Sequence, residues 1–140
     1  MSSPKYLKPK ASKAKHLPKY PLFSFQRTSL SGNYSFEFFG NDHRRQNQAY
    51  SDWIRHLHTW SSVTMTELGR MRKTEGFETL PLSRFVEPVQ NLIKSPEYTK
   101  DTKLTVFRFN GGQSRMICLS DDNVFYVLAF DFNFSAYDHG

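Results

Sequence analysis

An α+β fold is what this sequence predicts: an antiparallel sheet, ending in a C-terminal three-stranded meander, packed against a helical hairpin. Three observations lead there. Residues 104–132 fall into three β-rich runs separated by tight turn signals. Apolar residues between positions 50 and 60 recur at helical spacing. The links within the meander are too short for crossovers, so neighbouring strands there must be antiparallel.

The elements follow in chain order. Residues 1–20 read as a disordered Lys-rich tail, and residues 21–140 as a single domain. Pro4, Pro9 and Pro18 interrupt any helix in the tail. Leu22–Arg27 and Tyr34–Phe38 alternate, with Ser31-Gly32-Asn33 as a turn signal, so a hairpin of two short strands is expected. Asn41 or Asp42 can cap the helix that follows. Tyr50, Trp53, Ile54, Leu57 and Trp60 form its apolar face. Thr64 and Glu67 stand at capping-box spacing and open a second, shorter helix with a basic end at Arg70, Arg72 and Lys73. Pro81, Pro88 and Pro96 break residues 74–101, where loop with one helical turn is expected.

The meander closes the chain. Leu104–Phe109 is β-rich, Gly111-Gly112 turns, Ser114–Leu119 returns, Asp121-Asp122-Asn123 turns again, and Val124–Phe132 is the last strand. The run from Val124 to Phe130 is continuously apolar. It suits a strand covered on both faces, or on one face by the helices.

Composition bounds the function. A chain of 140 residues with 13 Phe and 7 Tyr can bury an aromatic core without staples. One cysteine, Cys118, excludes a disulfide framework and carries no zinc pattern. No run approaches the roughly 20 apolar residues of a membrane span, so a cytoplasmic protein with no membrane partner is expected. The net charge of +6 is local. Lys5, Lys8, Lys10, Lys13, Lys15 and Lys19 account for it, leaving 13 basic and 13 acidic residues in 21–140. The tail reads either as a solubilising arm or as an arm that holds phosphates through Lys13, Lys15 and Lys19.

No Gly-rich phosphate loop, HExxH, CxxC or GxSxG is present. Any enzyme here must use dispersed side chains, with no cofactor and no metal. That suits a ribonuclease, because RNA supplies its own nucleophile in the 2′-hydroxyl and needs only a base, an acid and a cation. Arg108 and Arg115 flank the Gly111-Gly112 turn and are candidates for holding a phosphate. The bland alternative is a strand arginine paired with Glu or Asp. Tyr137 and His139, in the tail after the last strand, are candidates for proton transfer. Asp131 and Asp138 read as structural, Trp53 and Trp60 as core, and Cys118 as a small buried hydrophobe.

The stretch from Phe107 to Leu128 resembles the RelE/ParE toxin superfamily. An aromatic-Arg strand meets a Gly turn, Arg115 opens an apolar strand, an acidic turn follows, and a long apolar strand runs toward Tyr137 and His139. The resemblance implies an antiparallel sheet against a helical hairpin. It implies ribosome-dependent mRNA cleavage or, in the ParE branch, gyrase inhibition, with a cognate antitoxin as partner. It makes Arg115 the phosphate-binding arginine, Tyr137 the C-terminal tyrosine and His139 a terminal acid/base. Arg70, Arg72, Lys73 and Arg108 would hold RNA or the ribosome. The alternative reading is a non-enzymatic phage or plasmid accessory protein that inhibits a host machine.

Overall fold

The computed structural model describes residues 17–93 and 97–137. Most of the Lys-rich tail, including Lys13 and Lys15, lies outside them, as do Asp138 and His139. The fold is α+β. Strands β1 (Leu22–Ser24), β2 (Phe77–Pro81), β3 (Lys103–Phe109), β4 (Ser114–Asp121) and β5 (Val124–Asp131) form one sheet in the order β1-β5-β4-β3-β2. The helices are α1 (His43–Ser61), α2 (Met65–Arg70) and the single turn α3 (Glu87–Gln90).

The meander β3-β4-β5 is antiparallel throughout, as its short turns require. The sheet as a whole is mixed. β1 runs parallel to β5, with Leu22 opposite Val124 and Ser24 opposite Tyr126. The expected hairpin of 22–27 with 34–38 does not form. Phe36–Phe39 is instead a 3-10 helix, opened by Ser35, whose Oγ accepts from the Glu37 N–H at 3.1 Å. The reason lies in the rings. A 3-10 turn sets residues i and i+3 on one side, and Phe36 and Phe39 both meet Phe132, with centroids at 5.0 and 4.7 Å. Phe38 reaches the same ring at 6.1 Å, and a strand, which sends successive side chains to opposite faces, would not gather Phe38 and Phe39 on one partner. Beyond β1, the edge of β5 is served by irregular chain. Thr28 Oγ1 donates to Val127 O at 2.6 Å, Ser29 N to Leu128 O at 2.8 Å, and Phe130 N to Tyr34 O at 2.9 Å.

Residues 74–101 hold a strand where a loop is expected. β2 pairs antiparallel with β3, from Phe77 opposite Phe107 to Pro81 opposite Lys103. Proline masks it in sequence. Pro81 is tolerated because it ends an edge strand, where no ladder N–H is demanded of it.

Both faces of the sheet are covered, which explains the unbroken apolar run of β5. Phe125, Val127 and Phe130 pack toward α1 and α2 with Phe107, Phe109, Trp60 and Leu68. Leu128 and Ala129 pack on the other face with Val106, Ile117 and the 82–93 segment. A register shift between Ile117 and Cys118 lets two successive β5 residues share that face.

Asp42 caps α1 by accepting from the Arg45 N–H at 3.2 Å. Trp60, read as core, is fully buried, but Tyr50 and Ile54 on the same apolar face are 42% and 53% exposed. The apolar stripe of α1 is wider than its line of contact with the sheet. Among the described residues no helix is long and apolar enough to cross a membrane.

The capping box of α2 is complete. Glu67 N donates to Thr64 Oγ1 at 3.2 Å, and Thr64 N donates to Glu67 Oε1 at 2.9 Å. The bond from the Thr64 backbone N–H, helped by the Thr64 side chain, lowers the Glu67 carboxyl below its usual range. A depressed carboxyl contributes stability above its unfolded pKa and loses it as pH falls through the folded value. The Thr64 amide signal is therefore expected to titrate with Glu67 on acidification, with α2 fraying in step. Glu67→Gln, which keeps the box without a charge, should abolish that titration.

Cys118 is fully buried in β4, and burial pushes its thiol well above the usual range. Because the thiolate is the reactive form, native protein is expected to resist iodoacetamide at pH 8, and denatured protein to react fully. Rapid labelling of the native chain would show that β4 opens locally.

Candidate functional site

The β3–β4 turn requires its sequence. Asn110, Gly111 and Gly112 all have positive φ, at 53°, 62° and 85°, a run that β-branched or bulky residues do not adopt. The turn fixes the register of the charged row beside it. Arg108 stands directly opposite Arg115, and Arg115 opposite Asp131. All three lie on the face away from α1, in phase with Val106 and Ile117. Two like charges directly across strands are unfavourable, so each guanidinium needs local compensation.

Arg115 finds it inside. It is 3% exposed. Nε donates to Tyr137 Oη at 3.0 Å, and Nη1 donates to Gly112 O and to Ser114 O, the latter at 3.3 Å. The Phe134 ring lies against it, 4.8 Å from guanidinium carbon to centroid. Asp131 shapes the tail that supplies these partners. Its buried carboxylate accepts from the backbone N–H groups of Asn133 (3.1 Å), Ser135 (3.2 Å) and Ala136 (2.9 Å). That wrap holds Phe134 at a φ of 58°, a conformation that costs a non-Gly residue energy and persists only where its surroundings enforce it. Tyr137 is then delivered to Phe85 in an isolated bridge, with ring centroids 5.2 Å apart.

Arg108 faces a cleft of about 520 Å³ at the free edge of the sheet. Lys73, Glu78, Arg84, Arg108 and Tyr137 line it, with Phe77, Thr79 and Leu80 of β2. Glu78 joins two of the cations. Arg108 Nη2 lies 3.1 Å from Oε1, and Lys73 Nζ lies 3.5 Å from Oε2. Arg108 Nε is buried without an acceptor. A buried donor left so costs about 1–3 kcal/mol. Lys73, Arg84 and Arg108 thus bring three cationic side chains to the lining of one cleft, beside the Glu78 carboxylate. Such an opening suits a phosphate held by forked guanidinium donors.

The expected site residues are thus divided. Lys73, Arg108 and Tyr137 come together in the cleft. Arg115 does not line it and touches it only through Tyr137; its guanidinium is taken up by internal acceptors because the tail folds over it. Arg70 and Arg72 are exposed at the end of α2 and its following turn, and neither lines the cleft. Lys19 sits at the opposite edge of the sheet, paired with Asp122 in the β4–β5 turn. Glu78 and Arg84 are the residues that sequence reasoning missed, both within the segment expected to be loop. The signal available was Phe77-Glu78-Thr79-Leu80 directly after Gly76, a β-prone run behind a turn residue. Among the described residues no three His, Cys, Asp or Glu side chains gather as potential metal ligands.

No family model matches this chain, and no curated protein and no solved structure matches it.

Proposed function

We propose that this chain is a RelE-like toxin acting on RNA, with the cationic cleft as its phosphate-binding site. One observation carries the reading. Lys73, Arg84, Arg108 and Tyr137 come from four separate stretches of chain and line a single cleft, and three of the four are residues to which sequence reasoning gave RNA-directed roles. In this reading Lys73, Arg84 and Arg108 hold successive phosphates. Tyr137 gives its proton to the leaving 5′-oxygen as the 2′-oxygen attacks phosphorus and the P–O5′ bond breaks. Arg115 is a positioning residue. Its Nε–H occupies one lone pair of the tyrosine hydroxyl, so the phenolic proton points elsewhere. His139 is the natural partner for taking the 2′-hydroxyl proton. The work is cytoplasmic, on ribosome-bound mRNA, and a cognate antitoxin restrains it.

A second reading has its own support. Arg115 and Tyr137 are only 3% and 5% exposed, which favours a non-enzymatic phage or plasmid accessory protein that uses the same cleft to bind and inhibit a host machine.

Inducible expression in bacteria separates the two. A toxin arrests growth and cleaves mRNA. Tyr137→Phe, which removes only the hydroxyl, is expected to lower cleavage at least about 100-fold, the usual scale for a general acid. Arg115→Ala is expected to lower it similarly by releasing Tyr137. Growth arrest without cleavage supports the inhibitor. Harmless wild-type expression, or full cleavage by both variants, rules out the toxin reading.

A further inference from the structure

Helix α1 carries more apolar surface than the sheet covers. Besides Tyr50 and Ile54, Phe25 is 43% exposed and Leu30 82%. Between α1 and the segment after β1 lies a pocket of about 300 Å³. Its walls include Phe25, Leu30, Phe36, Tyr50, Trp53 and Phe130. Five of these six side chains are aromatic, and they brace one another. Phe36 stacks on Tyr50 with centroids at 4.0 Å and planes 4° apart. Trp53 meets Phe25 edge to face at 5.7 Å and Phe130 at 5.3 Å. Rings locked in this way give a preformed cavity rather than one a ligand must open.

Charge narrows the ligand. The chain carries +6, yet among the described residues no Lys or Arg lines this pocket, and its one charged side chain is Glu37. Glu37 Oε1 accepts from the Gly32 N–H at 3.1 Å, which fixes the carboxylate at the rim. Gln46 Nε2 donates to Phe36 O at 2.9 Å, leaving the amide oxygen as a second acceptor. An anion would be repelled here, and a neutral hydrocarbon would gain nothing from the Glu37 carboxylate at the rim. Aromatic rings with a carboxylate attract an organic cation, because ring faces carry negative potential and Trp carries most. The volume sits at the small end of ligand sites, at roughly 300 Å³, and so suits one headgroup-sized molecule.

We propose that this pocket binds a small organic ammonium ion, its alkyl shell against the Phe25, Tyr50 and Trp53 rings and its charge toward the Glu37 carboxylate. The pocket opens beside β5 and α1, whereas the cationic cleft lies at the β2 edge. The proposal therefore stands apart from the RNA reading.

Tryptophan fluorescence of the full chain, titrated with choline, tests it. Choline's neutral isostere 3,3-dimethylbutan-1-ol serves as the control. Saturable choline binding is expected, about tenfold tighter than the alcohol. Glu37→Gln keeps the acceptor for Gly32 and removes only the charge. Tyr50→Leu removes a ring at an exposed position. Each is expected to weaken choline binding by about five- to tenfold. Phosphatidylcholine vesicles form a separate arm: sedimentation with them, reversed by free choline, assigns the ammonium to a lipid headgroup, and no sedimentation assigns it to a free molecule. The proposal is overturned if no saturable choline signal is seen, if the alcohol binds as tightly as choline, or if both variants bind choline as the wild type does.

Discussion

Trp60→Ala is expected to cost about 5 kcal/mol, from two terms that act together. The first is the cavity. Trp60 is fully buried, with the Phe107 ring at 4.7 Å and the Phe23 ring at 6.4 Å, and truncating a buried Trp costs about 3–5 kcal/mol. The second is polar. Trp60 Nε1 donates to Glu75 O at 2.9 Å, and losing that donor at a partly buried carbonyl adds about 1–3 kcal/mol unless water reaches it. Against a typical domain stability of about 5–15 kcal/mol, the variant should be largely unfolded or close to it at 37 °C. A urea titration followed by far-UV circular dichroism reads the loss. Trp60→Phe, which keeps most of the ring volume, should retain more than half of it. A loss below about 1 kcal/mol for the alanine variant would show that α1 does not seat on the sheet as described.

Asp131→Ala should cost about 2–4 kcal/mol and dismantle the site with it. Three backbone N–H groups converge on this one carboxylate. Each buried donor left without an acceptor costs about 1–3 kcal/mol. The sum is capped because the tail can lift off and hydrate. That release is the functional consequence: Phe134 leaves the Arg115 guanidinium, and Tyr137 loses the geometry that places it against Phe85. Amide exchange at Asn133, Ser135 and Ala136 should rise at least tenfold, with β3 and β4 still protected. Asp131→Asn, which keeps one strong acceptor, should lie between the two. Unchanged protection at all three amides in the alanine variant would refute the role given to Asp131.

Much of the fold was legible because its signals are local. The meander announces itself through turn residues, and the Asn110-Gly111-Gly112 turn needs those residues for its backbone angles. Asp42 and the Thr64–Glu67 box mark their helix starts for the same reason. What was not legible depends on partners distant in sequence. β1 exists because β5 offers it a parallel edge 102 positions away, Leu22 against Val124. The alternation at 34–38 was real, but Phe132 gathers Phe36, Phe38 and Phe39 around one ring. β2 hid behind Pro81, and with it went Glu78 and Arg84. The site was therefore read in part. Lys73, Arg108 and Tyr137 stand out as a chemistry in the sequence, but the carboxylate that organises two of them comes from the missed strand. The Tyr50 and Ile54 positions show the reverse case. Periodicity marks a face as apolar and does not say how much of it the same chain will cover.

The central claim is that the β2-edge cleft holds RNA phosphates. Anisotropy titrations of a labelled single-stranded RNA over a series of salt concentrations address it most directly. The wild-type full chain is compared with Arg84→Ala and with Arg108→Gln, each of which removes one cation from the lining of the cleft. The Lys-rich tail is common to all three, so its contribution cancels. For a single strand, every phosphate that a variant no longer neutralises should reduce the slope of log K against log salt by about 0.7, with weaker binding throughout. Slopes and affinities equal to wild type in both variants would place RNA binding elsewhere on the chain and contradict the account.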